Sequence, residues 1–115
     1  MSEKFYVFEG KKVVLRKSSY VSNGTLAVAM IVVDDNGDES IYDFVTVNIA
    51  DSDFIISIYD AFVNTNHFGN EFVLWLKENG IIKEVCGYGK SGYCIYPLVT
   101  FNYKVLDEMM PLSNN

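Results

Sequence analysis

The stretch from Thr25 to Val33 is apolar on both faces of an extended chain, with Leu26, Val28, Met30 and Val32 on one face and Ala27, Ala29, Ile31 and Val33 on the other. A half-buried strand alternates apolar with polar residues. One that is apolar on both sides must be covered on both sides, which puts it inside a sheet. It runs into Asp34-Asp35-Asn36-Gly37-Asp38, where Asn36-Gly37 supplies the positive φ angles of a tight hairpin turn. The partner strand is expected from about Ile41 to Ile49, with Ile41, Val45 and Val47 on one face and Tyr42 and Phe44 on the other.

The remaining elements follow from this frame. Phe5, Val7 and Glu9 alternate with Tyr6 and Phe8, Glu9-Gly10-Lys11 turns into Val13-Val14-Leu15-Arg16, and Ser22-Asn23-Gly24 makes another turn. After Asp51-Ser52-Asp53 the period changes, and Ser52 or Asp53 is expected to cap a short helical turn reaching Tyr59. A clearer helix is expected at about 70–79, with Asn70 as N-cap, an apolar stripe of Phe72, Val73, Trp75 and Leu76, and Asn79-Gly80 as its stop. So short a helix needs packing to hold it, and Trp75 is expected to anchor it to the sheet. Cys86 to Gly92 reads as a flexible glycine loop leading to a last strand, Tyr93 to Tyr103, whose Pro97 asks for an edge or a bulge. The tail from about Asp107 is expected to fray. The chain of 115 residues, half of them apolar, reads as a single domain spanning 1–115. Its expected class is α+β: an antiparallel meander of about five strands with one main helix packed on it.

Charge is unevenly spread. No lysine or arginine occurs from Ser18 to Leu76, a stretch with nine acids and a local net of −9, against +3 for the remainder and −6 overall. Such a middle repels nucleic acid and favours basic partners, although acids at turns also serve solubility alone. No apolar run approaches the ~20 residues that cross a bilayer, and Met1-Ser2-Glu3-Lys4 lacks the features of a secretory leader. A cytoplasmic setting is expected, with no membrane partner and with Cys86 and Cys94 as free thiols.

Candidate chemistry is sparse. Gly87-Tyr88-Gly89-Lys90-Ser91 ends like a phosphate loop, but the motif's first glycine position holds Glu84 and the following segment is strand-like, which argues against nucleotide binding. Asp34 to Glu39 lacks the ligand spacing of a calcium loop. His67 is the only histidine, expected in the polar loop Asn64-Thr65-Asn66-His67, and two cysteines eight positions apart fit no zinc pattern. No catalytic residue, metal ligand or cofactor is therefore expected. Tyrosines between Tyr88 and Tyr103 suit an interface.

Four groups of residues carry a resemblance: Ser22-Asn23-Gly24-Thr25-Leu26-Ala27-Val28; Thr46-Val47-Asn48 with Asp51-Ser52-Asp53; Ala61-Phe62-Val63-Asn64-Thr65-Asn66; and Ser91-Gly92-Tyr93-Cys94 with Tyr96-Pro97-Leu98 and Phe101. Over roughly residues 5 to 103 the chain resembles an uncharacterised family of small bacterial proteins, a domain of unknown function carried on plasmids, conjugative elements and phages. The resemblance brings no catalytic residues and implies a setting, an accessory protein of a mobile element. Combined with the acidic middle, it leads to the expectation of a non-catalytic protein that binds a basic protein surface, such as a host nuclease, without contacting nucleic acid itself. In that role it would inhibit a defence enzyme in the anti-CRISPR or anti-restriction manner as a nucleic-acid mimic. The expected contact residues are Asp34, Asp35, Asp38, Glu39, Asp51, Asp53 and Asp60. Two alternatives stay open: a structural or regulatory accessory protein that assembles with itself through its aromatic surface, and a small enzyme using Cys86, Cys94 or His67.

Overall fold

The computed structural model describes residues 3–20, 24–49 and 58–112. Strand pairing begins with β1 (Tyr6–Phe8) and β2 (Lys11–Ser19), joined by Glu9 and Gly10 at φ 50° and 76°. Two positive φ angles in a two-residue connection match the right-handed twist of the strands it joins. β2 pairs with β3 (Leu26–Val33), and β3 with β4 (Glu39–Phe44), giving an antiparallel sheet in the order β1-β2-β3-β4. As its two-sided apolar pattern requires, β3 is interior, and Ala27 to Ile31 are buried. Its hairpin closes through the side chain of Asp34, whose Oδ1 accepts the N–H groups of Asn36 and Asp38 at 2.9 Å each.

The strand expected to run to Ile49 breaks instead. In the β3–β4 ladder Ile41 faces Ile31 and Asp43 faces Met30, so Tyr42 is an extra residue in a bulge. A one-residue slip exchanges the faces of everything beyond it. Ile41 is accordingly exposed while Val45 is fully buried, although simple alternation puts them on one face. Val45 keeps its backbone bond to Val28 (2.8 Å), after which β5 (Thr46–Val47) turns away to pair with β6 (Asp60–Val63) in a second sheet. That sheet has the order β5-β6-β8-β7, with β7 (Ile82–Ser91) and β8 (Cys94–Phe101) forming a long hairpin. The antiparallel α+β class agrees with the sequence. The strands number eight among the described residues, against about five expected, and divide between two sheets: the crossing splits one expected strand into β4 and β5, and β6 and β7 are strands the sequence did not announce.

The glycine segment from Cys86 is strand for most of its length, not a flexible loop. A Cβ on Gly89 would meet the Phe62 ring, 2.7 Å from Cζ, and lie 3.0 Å from Ile49 Cδ1. Glycine is used here for close approach, not for a turn. Pro97 lies in β8, an interior strand, but the ladder with β6 ends at Phe62 opposite Leu98. Opposite Tyr88, Pro97 therefore pairs on one side only. Cys94 sits opposite Ser91, while Cys86 lies beside the Leu98–Val99 end of the hairpin, about 15 Å along at ~3.4 Å per residue. Both thiols are free.

Three helices complete the chain: α1 (Thr65–Phe68), α2 (Glu71–Glu78) and α3 (Tyr103–Glu108). The main helix α2 starts at Asn70, whose side chain makes no capping bond. It stops as expected, with Gly80 N–H donating to Lys77 O and Ile81 N–H to Leu76 O, the paired pattern that absorbs the last carbonyls of a helix. Phe72 and Leu76 are buried between the sheets. Trp75 lies at the margin, its indole N–H 3.0 Å from Val7 O and its ring edge-on to Phe8 at 5.1 Å, so it does anchor α2 to β1. As far as Leu112 the tail is docked where fraying was expected: Met109 is buried, Lys17 N–H donates to Met110 O and Leu112 N–H to Lys17 O. These bonds extend the first sheet along the side of β2 that β1 leaves open. The turn at Ser22-Asn23 and the helical turn from Ser52 or Asp53 lie outside the described residues.

Candidate binding cleft

The sheet crossing opens a cleft of about 450 Å³, lined from the first sheet by Tyr20, Asp43 and Phe44, from β5 and its continuation by Thr46, Val47, Asn48 and Ile49, and from the second sheet by Asn64, Ser91 and Tyr96. Local bonds fix each wall. Tyr20, just past β2, is held by backbone bonds to Thr25 (2.9 Å) and Gly24 (2.7 Å). Its hydroxyl shares a 2.8 Å bond with the buried Thr46 Oγ1, which also accepts the Val28 N–H at 3.1 Å. Asn64 rivets the crossing: its N–H donates to Val45 O and its Nδ2 to Phe44 O. Asp43, re-aimed by the Tyr42 bulge, uses Oδ1 to accept the Phe44 N–H (2.7 Å), and His67 Nε2 stands 3.3 Å from its Oδ2. Burial raises the Tyr20 phenol above its ordinary value, opposed by the Thr46 bond. Burial and then Cys94 raise that of Tyr96. Both phenols, neutral at physiological pH at their ordinary value, are pushed further toward the neutral form.

Among the described residues, the cleft lining holds one carboxylate and no lysine or arginine. A second, smaller pocket of about 100 Å³ between β1 and α3 is lined by Glu3, Lys4, Lys104 and Glu108, and its charges balance.

The sequence-selected acids fall elsewhere. Asp34, Asp35 and Asp38 occupy the β3–β4 turn, where Asp34 is consumed in closing it and Lys11 and Lys12 line the same groove as Asp34 and Asp35. Glu39 is held by both terminal nitrogens of Arg16, 2.7 Å each, and Arg16 also grips Glu3 at 3.0 Å. These two glutamates hold Arg16 further in its charged form, and the Arg16 hydrogen bonds hold Glu39 below the usual carboxylate value. The sequence stretch without cations is thus supplied with them in space. Asp60 lies on β6 and accepts the Thr100 hydroxyl at 2.9 Å. Asp51 and Asp53 lie outside the described residues. His67 belongs to α1 and meets the Tyr42 and Phe68 rings, while Cys86 Sγ contacts Leu98 O and Thr100 Oγ1. Among the described residues no three of His, Cys, Asp and Glu gather into a metal-binding group, and no helix is long and apolar enough to cross a membrane.

Asp43, Tyr20 and Asn64 were not among the expected contact residues, and Tyr96 was only one of the tyrosines between Tyr88 and Tyr103 that suit an interface. One signal was present, since Asp43 stands between two aromatics instead of in a turn. Its companions come from distant segments, and only the crossing unites them. A family of proteins described as a domain of unknown function, DUF4313, matches residues 14–113. No curated protein and no solved structure matches the chain.

Proposed function

This chain belongs to the DUF4313 family, and from that premise we propose that it is a non-catalytic accessory protein that binds a basic protein surface. The observation that carries the reading is the open, acidic cleft at the sheet crossing, with no lysine or arginine among the described residues that line it. A net charge of −6 supports the same choice of partner by speeding encounter with positive surfaces. The resemblance to mobile-element and phage proteins adds the finer proposal of a cytoplasmic inhibitor of a host nucleic-acid-targeting defence enzyme, in the anti-CRISPR or anti-restriction manner. The test is capture from host lysate at low and high salt, followed by assay of the captured enzyme. A basic nuclease retained at low salt, released at high salt and inhibited by the added chain is the expected result. Capture indifferent to salt, or no effect on the enzyme, contradicts it.

One observation favours self-assembly as a second reading. Tyr88, Tyr93 and Ile95 are exposed on the β7–β8 hairpin, whose outer strand β7 ends the second sheet. Unpaired edges with apolar side chains invite strand addition. Sedimentation across a concentration series separates the readings, since a mass that doubles at micromolar protein and returns to the monomer in Tyr88→Ser, Ile95→Ser supports this one.

A further inference from the structure

We infer that the cleft at the sheet crossing is a receptor for a single arginine side chain presented by the basic partner, an inference that rests on the reading above. Its chemistry fits a guanidinium on three counts. The first is the carboxylate of Asp43, the one acid among the described lining residues: Oδ1 holds the Phe44 N–H, and Oδ2 keeps acceptor capacity beside His67. A carboxylate oxygen accepts more than one hydrogen bond, and a charged donor makes the stronger kind. The second is a pair of neutral phenols in the lining, Tyr20 and Tyr96, whose rings offer the electron-rich faces that attract cations. The third is the set of further oxygens in the lining, on Ser91 and Asn64, that can take the remaining N–H groups of a planar fork. The Asn64 amide nitrogen is already committed to Phe44 O, which leaves its oxygen as the free end.

The same features exclude other guests. A phosphate or a nucleic-acid backbone would meet Asp43 with no lysine or arginine in the lining to offset it. A wholly apolar side chain would strip water from the carboxylate without replacing its hydrogen bonds. Lysine satisfies charge but offers a compact ammonium in place of a fork that can stack.

The test is a titration of the full chain with N-acetyl-arginine amide, followed by NMR at the Asn64 side-chain amide and the Tyr20 and Tyr96 rings, with the uncharged isostere N-acetyl-citrulline amide in parallel. Saturable shifts at these positions are expected for the arginine probe, at least about tenfold weaker for citrulline and for the Asp43→Asn variant. Asparagine keeps an oxygen for the Phe44 N–H, so the crossing should stay folded. Tyr96→Leu, on the half-exposed wall, should weaken the probe comparably and serves if Asp43→Asn perturbs the fold. Equal affinity for citrulline, or indifference to both substitutions, overturns the assignment. Shifts confined to Asp34, Asp35 and Asp38 overturn it too, but leave the basic-partner reading standing. If an arginine-rich peptide also fails to bind at low salt, both readings fall.

Discussion

The β3–β4 turn and the sheet crossing are both acidic, yet the fold uses their carboxylates in opposite ways. At the turn, Asp34 closes the hairpin with its own side chain, Glu39 is gripped by Arg16, and Lys11 and Lys12 line the groove that Asp34 and Asp35 share. At the crossing, Asp43 has a backbone N–H and an imidazole for company, and no lysine or arginine joins it in the cleft lining. Density of charge along a sequence is therefore a poor guide to where a field survives folding. What decides is whether the strands paired alongside bring cations, and β2 brings Arg16 to Glu39 and Lys11 and Lys12 to the groove beside Asp34 and Asp35.

The largest way to break this comparison is to spoil the crossing itself. Gly89→Ala drives a methyl into Phe62 and Ile49 beneath the Tyr96 wall, and overpacking of this kind costs about 3 kcal/mol. Thermal denaturation should show a fall of well over 10 °C, at ~4–8 °C per kcal/mol for a small domain. Thr46→Val comes next. It removes the acceptor of the buried Val28 N–H and the partner of Tyr20, at about 2 kcal/mol, read by urea denaturation. Asp34→Ala, at the other region, should cost only about 1 kcal/mol through the lost turn bonds and leave arginine-probe affinity unchanged. A loss of binding there would reverse the roles assigned to the two regions.

The smallest effect sharpens the account of the turn. Because Arg16 holds Glu39 below the ordinary carboxylate value of 4.5, the pair stabilises the fold above that value. The contribution disappears as pH falls through the lowered value. Arg16→Met should therefore melt slightly below the parent at pH 7, with the two curves converging in strong acid. Both side chains lie near solvent, so added salt should narrow the gap as well.

Elements written in contiguous residues were legible in the sequence. β3 declared itself by two apolar faces, its turn by Asn36-Gly37, and α2 by its stripe and the Asn79-Gly80 stop. What failed to show depended on residues far away in the chain. Gly87 and Gly89 looked like loop residues because a missing side chain signals freedom, whereas Phe62 needs Gly89 bare in a strand. The bulge at Tyr42 left no mark, so the strand beyond Ile41 was assigned the wrong face. The tail seemed free because nothing local holds it, yet Lys17 supplies its bonds from nearly the whole length of the chain away. The candidate site suffered most. The acids were visible, but Arg16 pairs with Glu39 from outside the stretch that holds them, Lys11 and Lys12 line the groove of Asp34 and Asp35, and the companions of Asp43 meet only at the crossing.

The central claim, that the acid at the crossing binds and the acids at the turn do not, is met most directly by one comparison of affinities. A nona-arginine peptide would be titrated by calorimetry into the parent, into Asp43→Asn, and into the triple variant Asp34→Asn, Asp35→Asn, Asp38→Asn, at one low salt concentration. The triple variant removes three charges and Asp43→Asn removes one, so a purely global charge effect favours the larger loss in the triple variant. The account predicts the opposite order: at least about a tenfold loss for Asp43→Asn and less than about threefold for the triple variant, a gap of ~0.7 kcal/mol or more. A larger loss in the triple variant would contradict it.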